Sequence, residues 1–400
     1  MTFTSTLHSP RRHFDYIDLL RGIAILGVLS AHATLGMSAA GFTQLPLHVE
    51  WLLGAGKHGV SLFFVVSAYT LMRSLDERRN DGESLFVPYL IRRIFRIAPA
   101  YYLVLLLVFF LHGKGFGGYT PRDEPNIGWP DLAVHLLFVN GLFPYYINNF
   151  IGVEWSIATE FMFYAMLPFI FLWLRNSRNH ASLAGKAATL YVAGLVSLWF
   201  MYFKGGYMQK IIGHYPMEIF GPWIYFFILS HIHEFAAGIA IWVLMKILSE
   251  KRAARLSATT TKLMLGALVA FGVMLAYAEA YWASSVFMTV GGQILWGLLG
   301  ASLIYVLSVL RPGPVPWLSF LGKISFSLYL VHMPVFYGLT KFAPTWSISS
   351  FALFNFSLYL FIALSVSLTT ATLLFHFAEK PGMRAGKALL NRSPKTFFAA

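Results

Sequence analysis

The sequence predicts an all-α polytopic membrane protein with about ten transmembrane helices and both termini in the cytoplasm. Three observations carry this prediction. The 400 residues are 57% hydrophobic and only 12% charged, whereas a soluble domain carries about a quarter charged residues. Apolar runs of about 20 residues, the length that spans a bilayer, recur along the chain and leave no room for a soluble domain. The basic residues gather between alternate runs, which is the bias of cytoplasmic loops.

The runs lie near 17–38, 57–75, 95–112, 151–174, 186–203, 229–248, 261–280, 287–310, 322–341 and 348–376. The first, in "RRHFDYIDLLRGIAILGVL", has the basic flank of a secretory signal. Asp18 and Arg21 interrupt its core and further spans follow, so it is expected to remain as a transmembrane helix. Arg11 and Arg12 precede this run, and Arg78, Arg79, Arg92 and Arg93 lie between the second and third. Arg175, Arg178 and Lys186 follow the fourth, and Lys251, Arg252 and Arg255 follow the sixth. Arg384, Lys387, Arg392 and Lys395 follow the last, whereas 39–56 and 281–286 contain no Lys or Arg. Two Gly- and Pro-containing segments, 113–150 and 204–228, are expected to be partly irregular and to cap an opening on the outer face. No internal repeat is visible. The chain divides into a transmembrane domain, 1–380, and a short basic cytoplasmic tail, 381–400, with no catalytic domain expected after the last span.

Composition also excludes. The net charge of +13 would favour nucleic acid in a soluble protein. Here the charge sits in linkers beside anionic lipid, so membrane lipids and not nucleic acid are the expected partner. The absence of cysteine removes disulfides, thiolate nucleophiles and cysteine zinc sites. His231 and His233 are two apart and diverge on a helix, so no metal is expected. Gly-Lys-Ser/Thr phosphate loops, Gly-x-Ser-x-Gly elbows and His-Glu-x-x-His motifs are all missing.

Ionisable residues inside apolar runs are costly and face a bundle interior or a wet cavity. Arg21 and His32 are eleven residues apart. That is three turns plus roughly 20°, so they share one face about 16 Å apart. Arg21 either pairs with Asp18 at the interface or lines such a cavity. His32 is too deep and too short to snorkel, and either holds the core together or takes part in chemistry. Counting rise from the outer surface puts Glu160, in "GVEWSIATEFMFYAMLP", at about the depth of His32. A carboxylate there either fixes the imidazole tautomer and raises its basicity or satisfies a buried tryptophan or hydroxyl. Arg93 and Arg96 in "YLIRRIFRIAPAYY" share a helical face, which either forms a fork for phosphates or simply anchors the inner end. His332 in "LGKISFSLYLVHMP" lies on nearly the same face as Ser325 and Tyr329.

Taken together, these stretches resemble the acyltransferase-3 family of integral membrane acyltransferases. "DLLRGIAILGVLSAH" resembles its opening Arg-x10-His motif, and "GKHGVSLFFVVSAY" its second-span motif, with Ala68 where Gly is usual. "RRIFRIAP" is similar to its Arg-x-x-Arg motif, and "WSIATEFMFYAMLP" to its Trp-Ser…Glu…Phe-Tyr…Pro block. "LGKISFSLYLVHMP" and "EKP" (379–381) resemble its last two motifs, in family order. The resemblance implies ten core spans in a bacterial inner membrane. It also implies O-acetylation of a cell-surface polysaccharide or lipid-linked glycan, with acetyl-CoA as the donor. It makes His32 the candidate base, or a transient acyl carrier, with Glu160 orienting it. It gives Arg21, Arg93 and Arg96 to the donor phosphates. Trp155, Ser156, Tyr164, Tyr329 and His332 become candidates for the substrate path. The alternative is a glycolipid or small-solute transporter or flippase using the same intramembrane charges.

Overall fold

The computed structural model describes residues 15–39, 45–80, 86–112, 127–212, 217–250, 256–282, 286–340 and 352–392. Arg11, Arg12, Lys251, Arg252, Arg255 and Lys395 lie outside the described residues, as do 113–126 and 213–216 of the two long segments. Among the described residues all regular structure is helical. The helices are α1 (Asp15–Ala39), α2 (Leu47–Gly54), α3 (Gly59–Asn80), α4 (Phe86–Leu107) and α5 (Trp129–Leu136). They continue with α6 (Glu154–Arg175), α7 (His180–Ile212), α8 (Met217–Phe226), α9 (Ile232–Glu250) and α10 (Ala258–Tyr281). The last are α11 (Val286–Leu310), α12 (Pro316–Lys323), α13 (Ser325–Thr340), α14 (Ala352–Leu374) and α15 (Lys380–Arg392). Among the described residues nine stretches are long and apolar enough to cross a bilayer, and the α12–α13 pair, bent by 77°, makes a tenth. They fall in the ten predicted places.

The first helix is the axis of the bundle. It packs against α3, α12, α13 and α14, and it buries Leu20, Ile25, Val28 and Leu29 there. Lipid offers apolar side chains no less comfort than a neighbouring helix does, so close approach and van der Waals packing must hold such helices together. Glycine supplies that approach. A Cβ on Gly56 would stand 2.1 Å from the Gly27 carbonyl oxygen, and one on Gly322 would stand 2.0 Å from that of Asp18. The 3-10 turn Ala55–His58 and the bent α12–α13 pair therefore press directly on α1.

The described segments between α4 and α6 and between α7 and α9 fold over one end. Two buried acids organise them. Glu154 accepts from the backbone N–H groups of Phe150 (2.6 Å), Ile151 (3.0 Å), Gly152 (2.7 Å) and Val153 (3.0 Å). Asp131 accepts from the Gly128 backbone N–H (3.0 Å) and from Asn149 Nδ2 (2.6 Å). Gly152 has a φ of 92°, which favours glycine. At the opposite end, the termini of α3 and α4 meet α15. The stretch expected as a short tail is thus helical through Arg392, with Gly382 and Gly386 packed on Phe95 of α4.

Candidate active site

The centre of the site is a pair of histidines. His332 is fully buried on α13, and its Nδ1 lies 2.7 Å from the Tyr329 carbonyl. A carbonyl can only accept, so His332 carries its proton on Nδ1 and offers the lone pair of Nε2. That nitrogen lies 3.1 Å from Nδ1 of His32. In the neutral pair His32 therefore donates through Nδ1, and its Nε2 is the basic nitrogen. His32 also lines a cavity of about 370 Å³. The arrangement is a base oriented by a hydrogen-bonded partner, itself held by a third group.

Glu160 is not that partner. It accepts from Ser67 Oγ at 2.5 Å. It lines a narrow cavity of about 70 Å³ with Arg21, Arg96, Ser156, Tyr164 and Tyr329. There it balances arginine charge instead of orienting an imidazole. The depth count placed the start of its helix at the outer surface. Glu154 at that start is fully buried and is held by the backbone N–H groups of 150–153. Arg21 lines the cavity, and the charges of Arg96, Glu160 and Asp18 all act on it.

A third cavity, of about 530 Å³, opens where α3, α4 and α15 meet. Arg78, Arg92, Arg93, Arg96 and Lys387 line it among the described residues, together with Met383, Leu390 and Asn391. Arg96 belongs to this cavity and to the narrow one. Tyr329 and Val60 belong to the narrow one and to the chamber of His32. The three spaces thus form a series along the bundle, with shared walls.

Tyr329 lines both the chamber and the narrow cavity, and Ser156 lines the narrow one. Their hydroxyls are 2.8 Å apart, and both reach the Val153 carbonyl, at 3.2 Å and 3.1 Å. Trp155 also lines the chamber, stacked on Phe226 at 4.6 Å. Tyr164 stays at the narrow cavity, 3.5 Å from Ser67 Oγ. The described parts of the two long segments line the chamber through Asn148, Pro222, Tyr225 and Phe226, and Gly152 joins them from just beyond the first.

Sequence reading missed several chamber residues. His58 sits 2.8 Å from Glu279 and is stacked on Trp296 at 4.8 Å. Gln293 and Asn148 complete the polar wall. Four separate segments supply these side chains, so no local motif announces them. Ser327 donates to buried Glu379 at 2.7 Å, close to the arginines. Glu379 was visible only as part of the terminal "EKP". Among the described residues no three His, Cys, Asp or Glu side chains gather as a metal site.

Comparison with known proteins agrees with this layout. The family profile described as an acyltransferase domain matches residues 14–376. A peptidoglycan O-acetyltransferase of Listeria monocytogenes is 23% identical over 95% of this chain and 57% of its own. A Bacillus subtilis protein provisionally named a peptidoglycan O-acetyltransferase is 24% identical over 94% of this chain and 56% of its own. A Staphylococcus aureus protein provisionally named an O-acetyltransferase is 24% identical over 97% of this chain and 60% of its own. This chain therefore spans little more than half the length of these relatives. No solved structure matches it. With a profile match across nearly its whole length and the helical architecture described above, the chain belongs to the acyltransferase family that this domain defines.

Proposed function

We propose that the chain is an O-acetyltransferase of the bacterial inner membrane. It takes an acetyl group from acetyl-CoA at the arginine cavity, on the cytoplasmic face. It delivers the group to a hydroxyl of a cell-surface polysaccharide or of its lipid-linked precursor. The observation that carries this reading is the series of cavities. It runs from five cationic side chains, past Arg96 and Tyr329, to the free Nε2 of an oriented imidazole.

The chemistry follows from the side chains. Guanidinium groups suit phosphates because their donors are planar and always charged. The narrow cavity shares Arg96 with the arginine cavity and Tyr329 with the chamber, which puts it between the donor phosphates and His32. In the chamber, His32 Nε2 takes the proton of the acceptor hydroxyl as its oxygen attacks the thioester carbonyl carbon. A C–O bond forms, the C–S bond breaks, and His32 returns the proton to the departing thiolate. General-base assistance of this kind supplies about 10²–10⁴-fold in rate. His332 keeps the ring in the productive tautomer throughout.

The test is acetyl release from the envelope glycan of a deletion strain complemented with wild type or with His32→Ala, backed by acetyl-CoA binding to the purified proteins. The reading expects the variant to bind acetyl-CoA and leave the glycan unmodified. Full acetylation by His32→Ala would overturn the catalytic role.

A further inference from the structure

An apolar space adjoins the chamber from the membrane side. It is a groove of about 280 Å³, bounded by α1 and α3 on one side and by α10 and α11 on the other. Among its described lining residues only His58 and Trp296 carry a polar side-chain atom. Its lips are exposed at Ile23, Leu52, Val269 and Val273, so a molecule in the bilayer can reach it. Its depth matches one half of a bilayer. From Val269, deep in the groove, to Glu279, at the chamber, α10 rises about 15 Å over ten residues. The whole hydrocarbon core is about 30 Å thick. Near the chamber end Trp51 meets Tyr277 and Tyr281 edge-on at 5.6 Å and 5.8 Å. Exposed Trp and Tyr of this kind gather at the level of lipid headgroups.

The partition between groove and chamber is thin. His58 lines both spaces. Its ring is stacked on Trp296 at 4.8 Å. Glu279 clips the two rings together, with Oε2 2.8 Å from His58 Nε2 and Oε1 accepting from Trp296 Nε1 at 3.2 Å. Gly292 leaves room for the clip, since a Cβ there would stand 2.2 Å from Glu279 Oε1. The helix that carries Glu279 is also the least covered. Only 11% of the apolar stretch of α10 is buried, the lowest share of the nine described spans, and it packs chiefly on α11 and α2. One side chain on a peripheral helix therefore holds the wall between a groove open to lipid and the chamber of His32.

We infer that this groove holds the hydrocarbon chain of a lipid from the chamber-side leaflet, and that this lipid carries the acceptor, its polar head lying past His58 in the chamber. The inference rests on the acyl-transfer reading for what becomes of the head. Within that reading it selects the lipid-linked precursor over the finished polysaccharide, because a free polymer has no chain to place in a slot within the membrane. Chain burial tethers the head beside His32 and raises its effective concentration there. The Glu279 clip is the latch that the head passes as α10 shifts.

Two measurements test it. Val273→Trp and Val269→Trp each fill the groove from an exposed position that does not line the chamber. Val192→Trp, exposed on α7 and outside the groove, is the control. In a complemented deletion strain, acetylation of the envelope glycan should fall about tenfold or more in each groove variant and stay level in Val192→Trp. Acetyl-CoA binding and the unfolding midpoint of the purified proteins should match wild type, which shows that a variant is folded. Wild-type acetylation by a folded groove variant overturns the inference. In the second measurement, full-length protein in phosphatidylcholine nanodiscs is photolabelled with a hexadecyl β-glucoside carrying a mid-chain diazirine, and labelled peptides are mapped by mass spectrometry. Label is expected to saturate on the groove faces of α10 and α11. Unlabelled hexadecyl glucoside should displace it, methyl glucoside should not, and Val273→Trp should lose it. Label spread evenly over lipid-facing helices, α7 included, or not displaced by the unlabelled glucoside, means bulk lipid only and also overturns the inference. If the wild-type strain leaves its glycan unmodified, the acyl-transfer reading fails on its own, and photolabelling decides the chain site separately.

Discussion

The arginine cavity and the histidine chamber lie at the two ends of one series of spaces, yet they are lined by opposite chemistry. The first presents Arg78, Arg92, Arg93, Arg96 and Lys387 among the described residues. The second is lined by His32, His58, Asn148, Gln293, Lys57 and Glu279 among the described residues. A ligand suited to the first is a polyanion, whereas the second sets Lys57 beside Glu279 and offers an anion no such excess of charge. The narrow cavity between them carries Arg21 and Arg96 against the single acid Glu160, so its described lining keeps one net positive charge.

The sharpest way to break this comparison is at the histidine pair. His332→Phe removes the acceptor for His32 Nδ1–H and frees the ring to take the wrong tautomer. Transfer should fall at least about a hundredfold, with acetyl-CoA affinity held. His332→Gln keeps a carbonyl that accepts from His32 and should recover part of the loss. Equal loss in both, or unchanged turnover in His332→Phe, would remove the orienting role. Initial rates with radiolabelled acetyl-CoA measure it directly.

Arg96 and Arg93 separate the two ends next. Arg93 lines the arginine cavity alone, whereas Arg96 lines that cavity and the narrow one. Hydrogen bonds to charged groups contribute about 1.5–3 kcal/mol. Arg93→Ala should therefore raise the KM for acetyl-CoA about tenfold or more and leave kcat near its original value. Arg96→Ala should raise KM and also lower kcat, because it disturbs the path to the chamber. Identical profiles for the two would show that the cavities are not distinct.

The sequence disclosed the ten spans because lipid demands long apolar runs, and that demand is local. It disclosed the Arg21–His32 stripe for a similar reason, since one helix fixes both depth and face. It left Glu160 open between an imidazole partner and a buried acid satisfying a hydroxyl, because its contact, Ser67 Oγ, lies 93 residues away on α3. It named His332 without its role, since the partner lies 300 residues away and only packing on α1 brings the rings together. Asn148, Gln293 and Glu279 were invisible for a related reason. Each is an ordinary polar residue in its own segment, and only their common cavity gives them meaning. The stretch after residue 380 was read as a charged tail, because its charge was plain and its packing glycines, Gly382 and Gly386, were not.

The smallest expected effect is the one that tests the contrast between the two ends most directly. Charge attraction in an open, solvated cavity is screened by salt, with a Debye length of about 10 Å at 0.1 M and about 3 Å at 1 M. Donor binding at the arginine cavity draws on five cations and so should weaken steadily as ionic strength rises. The loss should be smaller than that caused by Arg96→Ala, because the closest contacts are screened least. Acceptor binding in the chamber depends on hydrogen bonds to neutral hydroxyls, and its charged side chains Lys57 and Glu279 lie beside each other. The KM for the acceptor should accordingly stay nearly level across the same salt series. A parallel rise in both constants would mean that the chamber also binds charge, and an acidic sugar would then replace the neutral one as its ligand.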